Sequence, residues 1–95
     1  MSGTEQAGKK AYYTYMARCA DGSLYTGFTT DPEHRIQVHN SGKGARYTRS
    51  RRPVSLAWCR QWETEHEARS AEVRIKHWTK ERKELLAASF GKEQD

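Results

Sequence analysis

Cysteine and proline are nearly absent from this 95-residue chain, with two of each. Cys19 and Cys59 stand far apart and form no CxxC pair, which excludes a zinc-ribbon spacing and a disulfide framework. Both read as reduced, packed thiols. No apolar run approaches the roughly 18–20 residues that cross a bilayer, and the N-terminus has no hydrophobic core of a secretory signal, so the expectation is a cytoplasmic protein that engages no membrane. The four histidines, His34, His39, His66 and His77, share no ligand spacing with cysteine or a carboxylate pair, which argues against a multi-histidine metal site. Ser41-Gly42-Lys43-Gly44 lacks the leading glycine and the following helix of a phosphate loop. Acidic residues are missing altogether from positions 34–60.

That last absence turns attention to what is present. The same stretch holds seven Lys and Arg, namely Arg35, Lys43, Arg46, Arg49, Arg51, Arg52 and Arg60, against a net charge of +5 for the whole chain. The positive excess is therefore concentrated in one segment, beside Tyr47. A block of one sign interleaved with an aromatic is an electrostatic footprint for a polyanion, and on charge alone it is equally a solvated basic loop. The length allows one domain, which buries about 60–65% of its extended surface. With 11% aromatic residues, the composition is that of a folded chain and not a disordered one.

Residues 1–11 show no apolar periodicity and read as a tail. Tyr12 to Cys19 and Ser23 to Phe28 are β-prone runs around Asp21-Gly22, which predicts a hairpin. Asp31-Pro32 predicts a capped helix start, because the aspartate accepts from free N–H groups and proline lacks only a donor that would be unused there. That helix runs to about Ser41 and stops at Gly42. A basic loop follows to Pro53, then a third strand over 54–62. Thr64-Glu65-His66-Glu67 is a capping box opening a helix to about His77, and Thr79 caps a last helix over 80–89. Residues 90–95 read as a second tail. The order ββαβαα predicts an α+β domain over 12–89, a small three-stranded, mainly antiparallel sheet flanked by helices.

A distributed set of residues carries the chemistry. Tyr13-Thr14-Tyr15 lies on the first strand and Tyr25-Thr26-Gly27 on the second. Arg35 and His39, four apart, share one face of the first helix. Glu72 borders the apolar stripe Ala68, Ala71, Ile75 and Trp78, where a carboxylate is unfavourable unless it is paired or holds a cation. From the helix alone, a bond from Glu72 to Arg69 or Lys76 serves as well as a metal. Likewise, the tyrosines suit a sheet core, and Arg35 suits a pair with Glu33 or Asp31. Taken together, in this order, Tyr15, Tyr25-Thr26-Gly27, Arg35, His39 and Glu72 resemble a GIY-YIG nuclease domain over about residues 12–85. The stretches Arg18 to Gly27 and His39 to Arg49 resemble its short, stand-alone members. The chain is also similar to the nuclease domain of structure-specific endonucleases that cut branched DNA with a partner subunit. It departs from the pattern in two places. The first motif reads Tyr-Thr-Tyr, so only Tyr15 matches its functional position, and no asparagine follows Glu72.

The resemblance implies a metal-dependent endonuclease that hydrolyses phosphodiester bonds with Mg²⁺ or Mn²⁺ at a single site. It implies that Tyr15 takes a proton from the attacking water, with a cation such as Arg35 favouring the phenolate. Tyr25 binds the water or the phosphate, Arg35 offers its donor fork to phosphate oxygens, and His39 relays a proton or holds an oxygen. Glu72 ligates the ion, a hard cation that keeps several waters. Lys43, Arg46, Arg49, Arg51 and Arg52 grip the backbone of nucleic acid, DNA favoured over RNA, and Tyr47 stacks on a base. With no second domain, a protein partner is a candidate source of substrate specificity. The alternative is a non-catalytic nucleic-acid-binding module of the same fold.

A shared tyrosine site also constrains the hairpin. A two-residue turn would set Arg18 opposite Tyr25 and send Tyr15 and Tyr25 to opposite faces of the sheet. A three-residue loop, Ala20-Asp21-Gly22, with Gly22 left-handed, sets Ala17 opposite Tyr25 and Tyr15 opposite Gly27, so both tyrosines share a face. The three-residue loop is the prediction, with Met16, Leu24 and Phe28 on the other face.

Overall fold

The structure, a computed structural model, describes residues 11–91, so most of both expected tails lies outside the described residues. Strands β1 (Tyr12–Arg18) and β2 (Leu24–Thr29) form the hairpin. Its register sets Ala17 against Tyr25 and Tyr15 against Gly27. The loop has three residues. The Cys19 N–H donates to the Ser23 carbonyl at 2.9 Å, and Gly22 takes a φ of +88°, which a residue without Cβ adopts at no steric cost. Asp21 Oδ1 accepts from the Ser23 N–H and hydroxyl at 3.0 and 2.6 Å, an Asx turn that fixes the loop locally.

Helix α1 (Pro32–Asn40) starts as expected, with Asp31 accepting from the His34 N–H at 3.1 Å. The basic loop differs from its expectation, because a short helix α2 (Arg46–Arg49) forms inside it. The element order is therefore ββααβαα. Asn40 fastens the next strand to α1. Its Oδ1 accepts from the Val54 N–H at 2.7 Å and its Nδ2 donates to the Val54 carbonyl at 2.9 Å. Strand β3 (Ser55–Trp62) pairs antiparallel with the other side of β1. The sheet order is β2-β1-β3, wholly antiparallel, with β2 at one edge. Helix α3 (Glu65–Lys76) carries the complete Thr64–Glu67 capping box, and Thr79 caps α4 (Lys80–Ala88).

Alternation along the strands divides the interior into two layers. On one face Tyr15, Ala17, Cys19 and Val54 pack with Tyr25, Ile36, Leu56 and Cys59 under α1. On the other, Met16, Leu24, Trp58 and Ile75 pack with Trp78, Leu86 and Ala87 from the α3–α4 side, and Phe90, expected in the tail, joins them. Phe28 lies on this second face but is half-buried, stacked on Tyr12 with Arg69 over its ring. Thr14 ties α3 to the sheet, its buried hydroxyl donating to the Ala68 carbonyl at 2.6 Å and accepting from Trp62 Nε1 at 3.1 Å. The central strand is thus enclosed on both faces. A polar group on it is desolvated unless a neighbour satisfies it.

Candidate active site

Tyr15 stands on that central strand, and its ring lies over the backbone of Gly27. A Cβ at position 27 would fall 2.6 Å from the Tyr15 hydroxyl. Only glycine there allows the phenol to cross β2 toward the sheet edge. At its tip, Tyr15 Oη meets His39 Nε2 at 2.7 Å, with both residues fully buried. Helix α1 delivers His39 to this point and sets Arg35 one turn earlier on the same side. Burial pushes the Tyr15 phenol up to about 12, against the pull of the Arg35 guanidinium beside it, while Tyr25 and Glu72 push the same way as burial. Arg35 pulls toward phenolate in the expected direction, but desolvation outweighs it and the phenol stays protonated. Burial, then Arg35, holds His39 below its usual value, so the imidazole is neutral at neutral pH.

Tyr25 completes an aromatic cluster. Its ring stands 6.4 Å from that of Tyr15, meets His39 edge-on at 5.3 Å and stacks on Tyr47 at 6.0 Å. Arg51 lies 3.8 Å over the Tyr47 ring, so at least part of the surface expected to stack on a base already carries a guanidinium. Arg51 also bonds Asp21 Oδ2 at 3.0 Å and the Tyr47 carbonyl at 2.8 Å. Arg52 donates to the Arg49 carbonyl at 2.8 Å and the Asn40 carbonyl at 3.3 Å. These two arginines brace the loop. Lys43, Arg46 and Arg49 are exposed and, among the described residues, make no ion pair.

Glu72 arrives from the opposite face of the sheet, on α3. It is half-buried and pairs with Lys76 at 2.9 Å, one of the two partners its helix position suggested. Its charge also reaches Tyr15. Among the described residues no three His, Cys, Asp or Glu side chains cluster for a metal ion. Two neighbours of His39 escaped sequence reasoning. Thr48 Oγ1 lies 2.7 Å from His39 Nδ1, and Gly44 packs so closely that a Cβ there would strike the same nitrogen. No periodicity marks either residue, because Gly44 lies in the loop before α2 and Thr48 in that single-turn helix, which is too short to carry a pattern.

The small α+β sheet domain thus brings Tyr15, Tyr25, His39 and Arg35 together, with Glu72 arriving on α3 from the far face. The GIY-YIG catalytic domain family matches residues 11–85, and the chain belongs to that family, a nuclease superfamily whose members are generally divalent-metal dependent. Among its relatives, a UPF0213 protein of Bacillus pumilus is 51% identical over 77 residues, covering 81% of this chain and 79% of that protein. A UPF0213 protein of Haloquadratum walsbyi is 49% identical, covering 80% of this chain and 85% of that protein. The solution structure of a UPF0213 protein from Bacillus halodurans matches with a TM-score of 0.54 at 44% identity, over 82% of this chain and 83% of that one. A solution structure from Enterococcus faecalis matches with a TM-score of 0.57 at 43% identity, over 85% and 86%. Among the described residues, no helix is long and apolar enough to cross a membrane.

Proposed function

We propose that this protein is a divalent-metal-dependent endonuclease that hydrolyses phosphodiester bonds in nucleic acid, with DNA preferred to RNA. The observation that carries the reading is the buried hydrogen bond between Tyr15 and His39 beside Arg35. A phenol pushed up to about 12 is a poor base at neutral pH on its own. Coupled to a neutral imidazole at 2.7 Å, it need never carry a full negative charge. As water gives a proton to Tyr15 Oη, the Tyr15 proton passes to His39 Nε2. The attacking oxygen is left as hydroxide and the charge rests on the imidazolium.

Arg35 receives the developing negative charge on the phosphate oxygens through its planar donor fork. Tyr25, half-buried at the mouth of the cluster, orients the water or the phosphate. Glu72 is the candidate metal ligand. Among the described residues its one ion-pair partner is Lys76, exposed and displaceable, and a lone carboxylate suits Mg²⁺ or Mn²⁺, which retain waters and take phosphate oxygens as further ligands. When bound, such an ion supplies Lewis-acid stabilisation of the phosphate and leaving oxygen. Lys43, Arg46 and Arg49 hold the flanking backbone. Substrate choice then comes from this small surface or from a protein partner.

The test is incubation with labelled single-stranded, duplex and branched DNA and with RNA, in Mg²⁺, Mn²⁺ or EDTA. Cleavage is expected with the metals and not with EDTA. Glu72→Gln should slow it by at least ~10²-fold while leaving binding nearly intact, because several kcal/mol of charge stabilisation go and the basic segment stays. Cleavage at the parent rate in EDTA would reject the metal. Tight binding with no cleavage of any substrate would favour the non-catalytic binding module.

A further inference from the structure

We propose that Thr48 is a positioning residue that sets the tautomer of His39, with Gly44 closing the loop onto the same ring nitrogen. The inference deepens the nuclease reading and rests on it for its catalytic consequence, but not for its geometry. A neutral imidazole carries one N–H and one bare nitrogen, and its neighbours decide which is which. The Thr48 hydroxyl lies 3.0 Å from the Ala45 carbonyl, which can only accept, and 2.7 Å from His39 Nδ1. If Thr48 gives its hydrogen to Ala45, its oxygen must accept the Nδ1–H. Nε2 is then bare and accepts from Tyr15 Oη at 2.7 Å. One unbroken line of donors results: Tyr15 to His39, His39 to Thr48, Thr48 to Ala45.

A competing arrangement is built into the same loop. The Ala45 N–H lies 3.4 Å from Nδ1 and can only donate. Were it the sole partner, Nδ1 would become the bare nitrogen. The proton would sit on Nε2, pointing at Tyr15, and His39 would lose the capacity to take the Tyr15 proton. The Thr48 bond, shorter by 0.7 Å, decides between the two. Gly44 lets the loop come this close, since its Cα stands where any side chain would strike the ring. His39 is fully buried, so bulk water does not stand in for Thr48. The groups around the ring that carry or can acquire charge are Tyr15 from β1, Tyr25 from β2 and Arg35 from α1. Thr48 is not titratable, so its effect is one of hydrogen placement.

The experiment compares the parent protein with Thr48→Val, nearly isosteric, and Thr48→Ser, which restores the hydroxyl. The His39 ring nitrogens are assigned by ¹⁵N NMR at neutral pH, and cleavage of the best DNA substrate is measured alongside. The parent and the serine variant should show the proton on Nδ1, and the valine variant should show it on Nε2. Cleavage should fall by about 10²-fold in the valine variant, within the range that a proton-transfer partner supplies, and return in the serine variant. A parent protein with the proton on Nε2, or an unchanged tautomer in a folded valine variant, overturns the assignment. The expected tautomers in a protein that cleaves nothing would support the role of Thr48 while counting against the nuclease. Wild-type cleavage by a valine variant with a switched tautomer would overturn the catalytic consequence.

Discussion

Gly27→Ala adds a single carbon and should be among the most damaging conservative changes in the domain. Built on the backbone, that carbon falls 2.6 Å from Tyr15 Oη, 2.7 Å from Cζ and 2.8 Å from Cε1. Ordinary contact begins near 3.4 Å, so the ring must retreat by roughly 0.8 Å. It has little room, because Tyr15 is 1% exposed, its hydroxyl is held by His39, and Cys59 flanks it on β3. Overpacking of this kind costs about 1–3 kcal/mol, and a broken buried hydrogen bond adds about 1 kcal/mol. The expected loss is about 2–4 kcal/mol, a Tm lowered by roughly 10–20 °C for a domain of this size.

Urea and thermal unfolding followed by tryptophan fluorescence measure the effect. A Tyr15→Leu background, which removes all three contacting atoms, isolates its origin. There the alanine should be nearly neutral, giving a coupling of about 2–4 kcal/mol between the two positions. A Gly27→Ala variant within about 0.5 kcal/mol of the parent, or one equally destabilised in the leucine background, would refute the seating of the Tyr15 ring on Gly27.

Two further outcomes follow from charges outside that cluster. Neutralising Lys43, Arg46 and Arg49 should flatten the dependence of log K on log salt for duplex DNA by about 0.9 for each phosphate no longer neutralised. Changing Arg51 and Arg52 should chiefly lower the melting temperature, since their donors serve Asp21 and backbone carbonyls; a salt slope altered only by the second pair would reverse the assignment. Arg18, then Lys80, holds the Glu84 carboxyl down at about 2 from 4.5. A carboxyl depressed by folding contributes stability above its unfolded value and loses it as pH falls toward 2. Glu84→Gln should therefore lower Tm at pH 7 by a few degrees, in keeping with a half-exposed pair worth up to about 1 kcal/mol. The gap should close between pH 4.5 and 2; a gap that is constant with pH would count against the pair.

What could be read from the sequence was what depends on near neighbours. Asp31, Thr64 and Thr79 cap the helices they were expected to cap, because capping needs only three or four residues of context. The hairpin register was legible for a different reason. Strand alternation is a parity rule, so requiring Tyr15 and Tyr25 on one face left only the three-residue loop of the two considered. Its register is the one observed. Segment 43–52 resisted reading because its conformation is decided by contacts across the fold. Arg51 reaches back 30 residues to Asp21, and Arg52 reaches 12 to Asn40. A charge count cannot separate an arginine that braces a loop from one that is free to meet a phosphate. Nor could composition predict the balance at Tyr15, where the arginine expected to favour phenolate is outweighed by burial.

The same distinction explains why the candidate site is assembled at an edge of the sheet. Tyr15 and Glu72 come from opposite faces, and the charge of Glu72 is the weakest of the influences on the Tyr15 phenol. Groups on opposite faces of a sheet are separated by its backbone unless they meet beyond its last strand. β2 is the last strand on the Gly27 side, and α3 packs against all three strands. Gly27, on β2, has no side chain to block the phenol from reaching outward. A central strand gives Tyr15 the burial that raises its pKa, and an edge strand with a glycine leads its hydroxyl toward the rim. Turned toward β3 instead of across Gly27, the phenol would keep its burial and lose its bond to His39. Moved onto β2 itself, it would gain access but lose the burial that keeps it protonated against His39. The position opposite Gly27 on β1 satisfies both demands at once.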